Sequence, residues 1–359
     1  MKNTTLLLKL LFLSVIFTAC TEGDDVVSLD GDFDNGIIIS SEGNFGSKDG
    51  SVAFLDANMS RNATNFIYTS VNNAQLGGLV QSIGFSDDDA FIIINDAHSI
   101  AVVDRITFEK KTIVMEGLKN PRYMVVEGNK GYVTNWGEGA DPSDDYVAVL
   151  NLDTYAVESN ISLKNGVEQI VAKDGKLYVS HKGAFSTNNI VSVVDIASSE
   201  VVEIEVGDNP DEIFFDEAGN LNVLFEGRSI WNTTWTAIES HTEAGIAKID
   251  TNSNTVVSSM TFELGAHPSL ISLDNDKLYY ALNGSIFSMS TSDTSLPTTA
   301  LLETGSIYGM TVKNGQLYTL KREFENLSQL KVIALEGTDV GSVIHSSAVG
   351  AGASKIYFN

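Results

Sequence analysis

The chain has almost no cysteine. One, at position 20, stands in 359 residues. No disulfide can form within it and no cysteine metal site is possible, so stability has to come from a buried core. Basic charge is also short: 22 Lys and Arg against 47 Asp and Glu, a formal net charge of −25. That balance leaves no basic patch and excludes nucleic acid as a partner. Anionic membrane surfaces would repel the chain as well. After residue 30 no window has the 3.6-residue period of a long amphipathic helix. Catalytic signatures are missing too. There is no Gly-x-Ser-x-Gly, no His-Glu-x-x-His and no phosphate-cradling glycine loop, and the five histidines form no i, i+4 pair.

What is present is a repeat. An apolar strand, a tight polar turn, a second strand, a loop and an apolar triplet closed by Asp recur along the chain. The closing phrase reads SVAFLD at Asp56, SIAVVD at Asp104, YVAVLN at Asn151, IVSVVD at Asp195 and GIAKID at Asp250, and it decays at Ser290 and Ala334. Its copies lie 40 to 55 residues apart. Segments such as TIVMEGL and VVEIEV alternate with the period of a strand. Units of this length with about four short strands predict β-propeller blades. Pro121, Pro210 and Pro268 sit at strand entrances, where a missing N–H is tolerated.

The count comes to seven. Six copies begin with their own inner strand, but the first, around Asp56, starts at its second strand. ASKIYF (Ala353 to Phe358) matches PRYMVV, so the C-terminal strand is expected to complete the first blade and close the ring. The fold class is therefore all-β, a seven-bladed propeller of four-stranded blades over residues 36–359. The Asp that ends each phrase recurs too often to be catalytic and reads as a turn residue.

The first 19 residues fit a leader. Lys2 and Lys9 flank an apolar stretch too short to span a bilayer, and Phe17-Thr18-Ala19 precedes Cys20. Small residues before a cysteine are the pattern of bacterial lipoprotein processing, which predicts a signal peptide over 1–19 and lipidation at Cys20. Residues 20–35 are acidic and read as a tether. Loss of Lys2 and Lys9 takes the net charge from −25 to −27.

Loop lengths point to one working face. Turns between first and second strands are short and generic (SDDD, EGNK, KDGK). Loops between second and third strands are long and varied, at 42–50, 137–145, 181–189, 227–244 and 321–328. Those long loops carry Asn44, Phe45, His181, Phe185, Arg228, Trp231, Trp235 and Arg322 as candidate ligand contacts, with Phe324 and His241 beside them. His98, Asn135 and Trp136 adjoin the same face. Strand entrances add Arg122, Tyr123, Tyr308 and Lys355 near the central channel. Aromatic and arginine anchors around a concavity suit recognition of a ligand or a protein. Glu168, Asp211 and Glu212 are inward acids on the inner strands. Asp141, Asp144 and Asp145 have the oxygen donors for calcium but not a calcium-loop spacing, so a solvated loop is favoured.

The phrase Gly131-Tyr132-Val133-Thr134-Asn135 resembles the YVTN repeat of YncE-like seven-bladed propellers. EGNFGSKDGSVAFLD, VNNAQLGGLVQSIGF and PRYMVV with GYVTNWG together resemble the Bacteroidetes surface propellers, lipoproteins encoded beside TonB-dependent transporters. That resemblance, over residues 36–359, implies an outer-membrane lipoprotein facing the exterior. It further implies a non-enzymatic protein without cofactor that captures cobalamin or another corrinoid on one face and delivers it to the transporter. Two other readings stay open: a protein-binding propeller that scaffolds a surface complex or adhesion, and a polysaccharide lyase or hydrolase using the inward acids.

Overall fold

The computed structural model describes residues 33–44, 46–323 and 326–359. The expected leader and lipidation at Cys20 lie outside these residues, as do Phe45 and Phe324.

Seven antiparallel sheets stand around a central channel, as the repeat predicts. Blades 2 to 7 occupy residues 80–114, 121–162, 167–205, 210–261, 270–303 and 309–349, each with four strands. Blade 5 also carries a small hairpin, Ser229–Trp231 against Ile238–His241, between its second and third strands. Blade 1 is assembled from both ends of the chain. Its strand Gly36–Ser41 pairs outward with Ser51–Asp56 and inward with Ala353–Phe358, in the register Ile39 to Ile356. The C-terminal strand thus closes the ring.

The outer strand of blade 1 departs from the expected four. Only one bridge, Phe54 to Thr64, remains there among the described residues. The segment that would form the strand is diverted to blade 7, where Ala63 N–H donates to Ser347 Oγ (2.8 Å) and Asn65 Nδ2 to the Ala348 carbonyl (3.0 Å). A short helix, Ile67–Asn72, follows. Fastening also begins upstream of residue 36. Phe33 is buried between Phe54 and Phe108, with ring centroids at 5.3 and 5.4 Å, and its N–H donates to the Ile106 carbonyl.

The core lies between blades. Phe91, Ile93, Ile100 and Val102 of blade 2 pack on Val133, Ala148 and Leu150 of blade 3. Ile37, Ile39 and Leu55 of blade 1 pack on Tyr318, Leu320 and Leu330 of blade 7. Every blade buries two faces, which explains why its middle strands are almost continuously apolar.

The recurrent Asp is a turn residue, as expected. Asp104 Oδ1 accepts from Ile106 and Thr107 N–H, and Asp195 Oδ1 accepts from Ala197 and Ser198 N–H. Asn151 plays the same part toward Asp153 and Thr154. Four residues on, Phe108, Tyr155 and Ser199 take a left-handed conformation (φ 57, 55 and 60). The side-chain acceptor holds the turn against that strain.

Candidate functional site

The site is built where the inner strands begin. Each of the inner strands of blades 2 to 5 has a register shift just after its first residue: Val80/Ser82, Pro121/Met124, Val167/Ile170 and Pro210/Ile213. A bulge breaks the strict alternation of a strand and re-aims side chains. Two consecutive residues, Arg122 and Tyr123 on blade 3 and Asp211 and Glu212 on blade 5, therefore line the same cavity at the channel mouth. Gln81 and Glu168 join them from the bulges of blades 2 and 4. The cavity measures about 270 Å³.

A second set of side chains comes from the exits of the second strands. Glu42, Trp136, Lys182 and Glu226 each precede a glycine (Gly43, Gly137, Gly183, Gly227) with φ of 85, 59, 107 and 62. Only glycine takes that turn without strain. It carries the loop away and leaves the preceding side chain at or beside the mouth. This residue-Gly pair recurs in four blades and is the sequence signal that marks Lys182 and Glu226, which are not among the expected contacts.

The mouth is dense with charge, and the charges satisfy one another. Arg122 holds Glu168 through two bonds, Nη2 to Oε1 at 2.6 Å and Nε to Oε2 at 3.1 Å, and its guanidinium lies 3.8 Å from the Trp136 ring centroid. Lys182 Nζ reaches Asp211 at 2.6 Å and Glu226 at 3.0 Å. Lys355, on the closing strand of blade 1, pairs with Glu212 of blade 5. Blades 1 and 5 are not neighbours, so this pair bridges the channel. Burial opposes the charge on Lys182 and Lys355, but the facing carboxylates outweigh it and hold both well above the usual lysine range. Burial dominates at Glu226 and pushes it up to about 7, against the pull of Lys182. Asp211 ends below the usual carboxylate range because Lys182 and Lys355 outweigh its burial. Burial raises the Tyr123 phenol.

Around this mouth the structure distributes the other expected residues differently. Phe185 (83% exposed), Trp235 (76%), Trp231 (42%) and Tyr308 (38%) are open to solvent on the entry face. Tyr308 donates to Glu42 Oε2 at 2.8 Å and lies under Arg322, which is 3.7 Å from Glu42. Phe185 meets Trp136 edge-on at 6.3 Å, and the Trp136 Nε1–H donates to the Val167 carbonyl at 2.7 Å. Arg228 is tied to Asp208 at 2.9 Å and Asn44 to Asp49 through its backbone N–H and its Nδ2.

Three expected contacts are engaged in holding the fold instead. Asn135 is fully buried, accepting from Lys119 N–H and donating to the Val133 carbonyl. His181 is fully buried, with Nδ1 at 3.0 Å from the Asn165 carbonyl and Nε2 at 2.8 Å from Ser192 Oγ. His98 Nδ1 accepts from Asn120 N–H at 3.0 Å. All three tie down a loop that enters a blade, Lys119 and Asn120 leading into blade 3 and Asn165 into blade 4. The acidic loop is also not merely solvated. Asp145 is buried and accepts from Gly166 and Val167 N–H, Asp144 accepts from Glu138 N–H, and Asp141 accepts from Ser143. Burial raises Asp145 to about 6.

Residues 35–319 match the family described as "Domain of unknown function (DUF5074)". The chain belongs to the DUF5074 family. No curated protein matches it. Among solved structures, a quinoprotein alcohol dehydrogenase-like protein from Bacteroides thetaiotaomicron is similar with a TM-score of 0.64 at 15% identity, over 91% of this chain and 79% of that one. Hydrazine synthase from Kuenenia stuttgartiensis is similar with a TM-score of 0.58 at 17% identity, over 76% of this chain and 87% of that one. A computationally designed protein shares the fold at TM-score 0.55 and 11% identity, over 92% of this chain and 98% of that one. At such identities the likeness is one of fold alone.

Proposed function

We propose that this DUF5074 chain is a capture protein rather than an enzyme. Its entry face takes a large, nearly neutral ligand with a broad apolar surface and peripheral amides. A corrinoid such as cobalamin has that chemistry, and it is the ligand implied by the resemblance to the YncE-like surface propellers. In the same reading Cys20 is lipidated, the domain faces the cell exterior from the outer membrane, and a TonB-dependent transporter receives the ligand.

The observation that carries this reading is the pairing of exposed aromatics with a neutralised mouth on one face. Phe185, Trp231, Trp235 and Tyr308 offer apolar area on loops of blades 4, 5 and 7. Beside them each lysine and arginine of the mouth already has its carboxylate. Glu168 and Asp211, held as counter-ions to Arg122 and Lys182, support recognition better than proton transfer. A ligand of low net charge meets no long-range repulsion from a chain at −25, whereas an anionic one would.

Isothermal calorimetry of the purified full-length protein against cobalamin tests the reading. Binding at micromolar concentration or tighter is expected, and heats indistinguishable from dilution would overturn it. A second reading, a protein partner, is favoured by the hairpin of blade 5, since exposed tryptophans also anchor protein interfaces. It takes precedence if cobalamin fails and the hairpin tryptophans prove necessary for a surface complex.

A further inference from the structure

The inner-strand entrances of blades 6 and 7 bring no charge to the channel mouth. The inner strands of blades 1 to 5 are bulged near their first residue, and those of blades 1, 3, 4 and 5 place Lys355, Arg122, Glu168, Asp211 and Glu212 at the mouth. The inner strands of blades 6 and 7, Leu270–Asp274 and Gly309–Lys313, pair with their neighbours without a register shift. Their entrances present Ser269, Leu270, Ile307 and Tyr308 instead. Blade 6 differs again at its second turn, which is only Asn283-Gly284, left-handed at both residues (φ 52 and 81). Such a two-residue turn is the tightest hairpin connection. The rim is therefore lowest over blade 6, between the long loops of blades 5 and 7.

A cleft of about 450 Å³ occupies that low sector. It shares Ser269, Leu270 and Ile307 with the central mouth, so the two are continuous. Among its lining residues there is no Asp, Glu, Lys or Arg. In a chain with 69 such residues that is a selective feature. Pro268, Leu270, Leu282 and Ile307 supply apolar surface, while Ser269, Asn283 and Ser306 supply hydroxyls and an amide. The one titratable lining residue, His267, is engaged on both nitrogens: Nδ1 lies 2.8 Å from the Glu226 carbonyl and Nε2 lies 2.9 Å from Nδ1 of His241. His241 belongs to the hairpin that carries Trp231, so that hairpin buttresses the cleft wall.

We propose that this cleft is a subsite for an uncharged, hydroxyl-bearing chain, a neutral oligosaccharide. The volume lies within the roughly 300–1,000 Å³ of small-molecule sites. Carbon–hydrogen faces of sugar rings fit the apolar floor, and hydroxyls exchange hydrogen bonds with neutral serine and asparagine groups. A charged sugar would be buried against no counter-ion and is disfavoured. The cleft's open inner end lets the chain continue to the mouth. This rests on the reading that the entry face captures a ligand, and not on that ligand being a corrinoid.

The test is calorimetry of the full-length protein with maltohexaose, N-acetylchitohexaose and, as the charged counterpart, hexagalacturonate. Binding of a neutral hexasaccharide, at least tenfold weaker for the anionic chain, is expected. Ser306→Trp, which fills the cleft, and Asn283→Asp, which puts a charge into it while tolerating the left-handed turn, should each weaken neutral binding at least tenfold. Failure of both neutral chains, or binding unchanged in both variants, overturns the cleft assignment. If cobalamin binds while the neutral chains do not, capture stands and the cleft assignment falls. If none of the probes binds, both fall.

Discussion

Lys355 and Glu212 meet across the channel, the one on the last strand of the chain and the other on the inner strand of blade 5. The strand that closes the ring thus also plugs its centre. Replacing one partner leaves the other charge half-buried and uncompensated. Lys355→Met should destabilise by about 2 kcal/mol, less than the roughly 3–5 kcal/mol of a fully buried pair because both groups keep some solvent. Lys355→Met with Glu212→Leu should recover most of that loss. Urea denaturation of the two single variants and the double variant measures the coupling.

Deletion of residues 351–359 removes the inner ladder of blade 1. Gly36–Ser41 would lose its partner strand, and Tyr357, whose hydroxyl accepts from Ile83 N–H at 2.9 Å, would no longer link blade 1 to blade 2. A fall in melting temperature of more than about 10 °C is expected. A truncated chain melting within a few degrees of the intact one would contradict the closure.

His181 gives a pH dependence of known sign. Burial is the main cause that lowers its pKa from 6.5 to about 4. The unfolded chain therefore binds this proton more readily than the folded one between those values. The contribution is fully present above pH 6.5 and is lost as pH falls toward 4, by up to about 3 kcal/mol. Asp145, raised to about 6, and Glu226, raised to about 7, act oppositely and favour folding as pH falls. The difference in unfolding free energy between wild type and His181→Asn isolates the histidine. It should shrink between pH 6.5 and 4, and a flat difference would refute the assignment.

Much of the fold was legible because repetition exposes it. Four Asp-terminated phrases and one ending in Asn151, three strand-entrance prolines and the match of ASKIYF to PRYMVV determine blade number and closure. The missing outer strand of blade 1 was not legible, since its residues bond to blade 7 and follow no repeat. Half of the mouth was visible as inward residues of inner strands: Arg122, Tyr123, Glu168, Asp211, Glu212 and Lys355. Lys182 and Glu226 were hidden because they stand outside the strands, although the glycine after each marks them. Residue type misled at Asn135 and His181, because a polar residue at the end of a second strand serves the backbone of the loop that enters its own blade.

Lipidation at Cys20 is testable apart from the ligand. Cys20→Ala should move the protein out of the membrane fraction, and protease added to intact cells should digest the wild-type domain. Retention of the variant, or protection of the wild type, would contradict a surface lipoprotein.

The central claim is that the entry face does the binding. Its most direct test compares cobalamin affinity for Trp231→Ala with Trp235→Ala against Asp87→Asn with Asp88→Asn on the opposite face. Losing the aromatic pair should cost roughly 2–4 kcal/mol, about 30- to 1000-fold in affinity, and the opposite-face change should leave affinity within twofold. Equal effects of the two pairs would contradict the assignment of the working face.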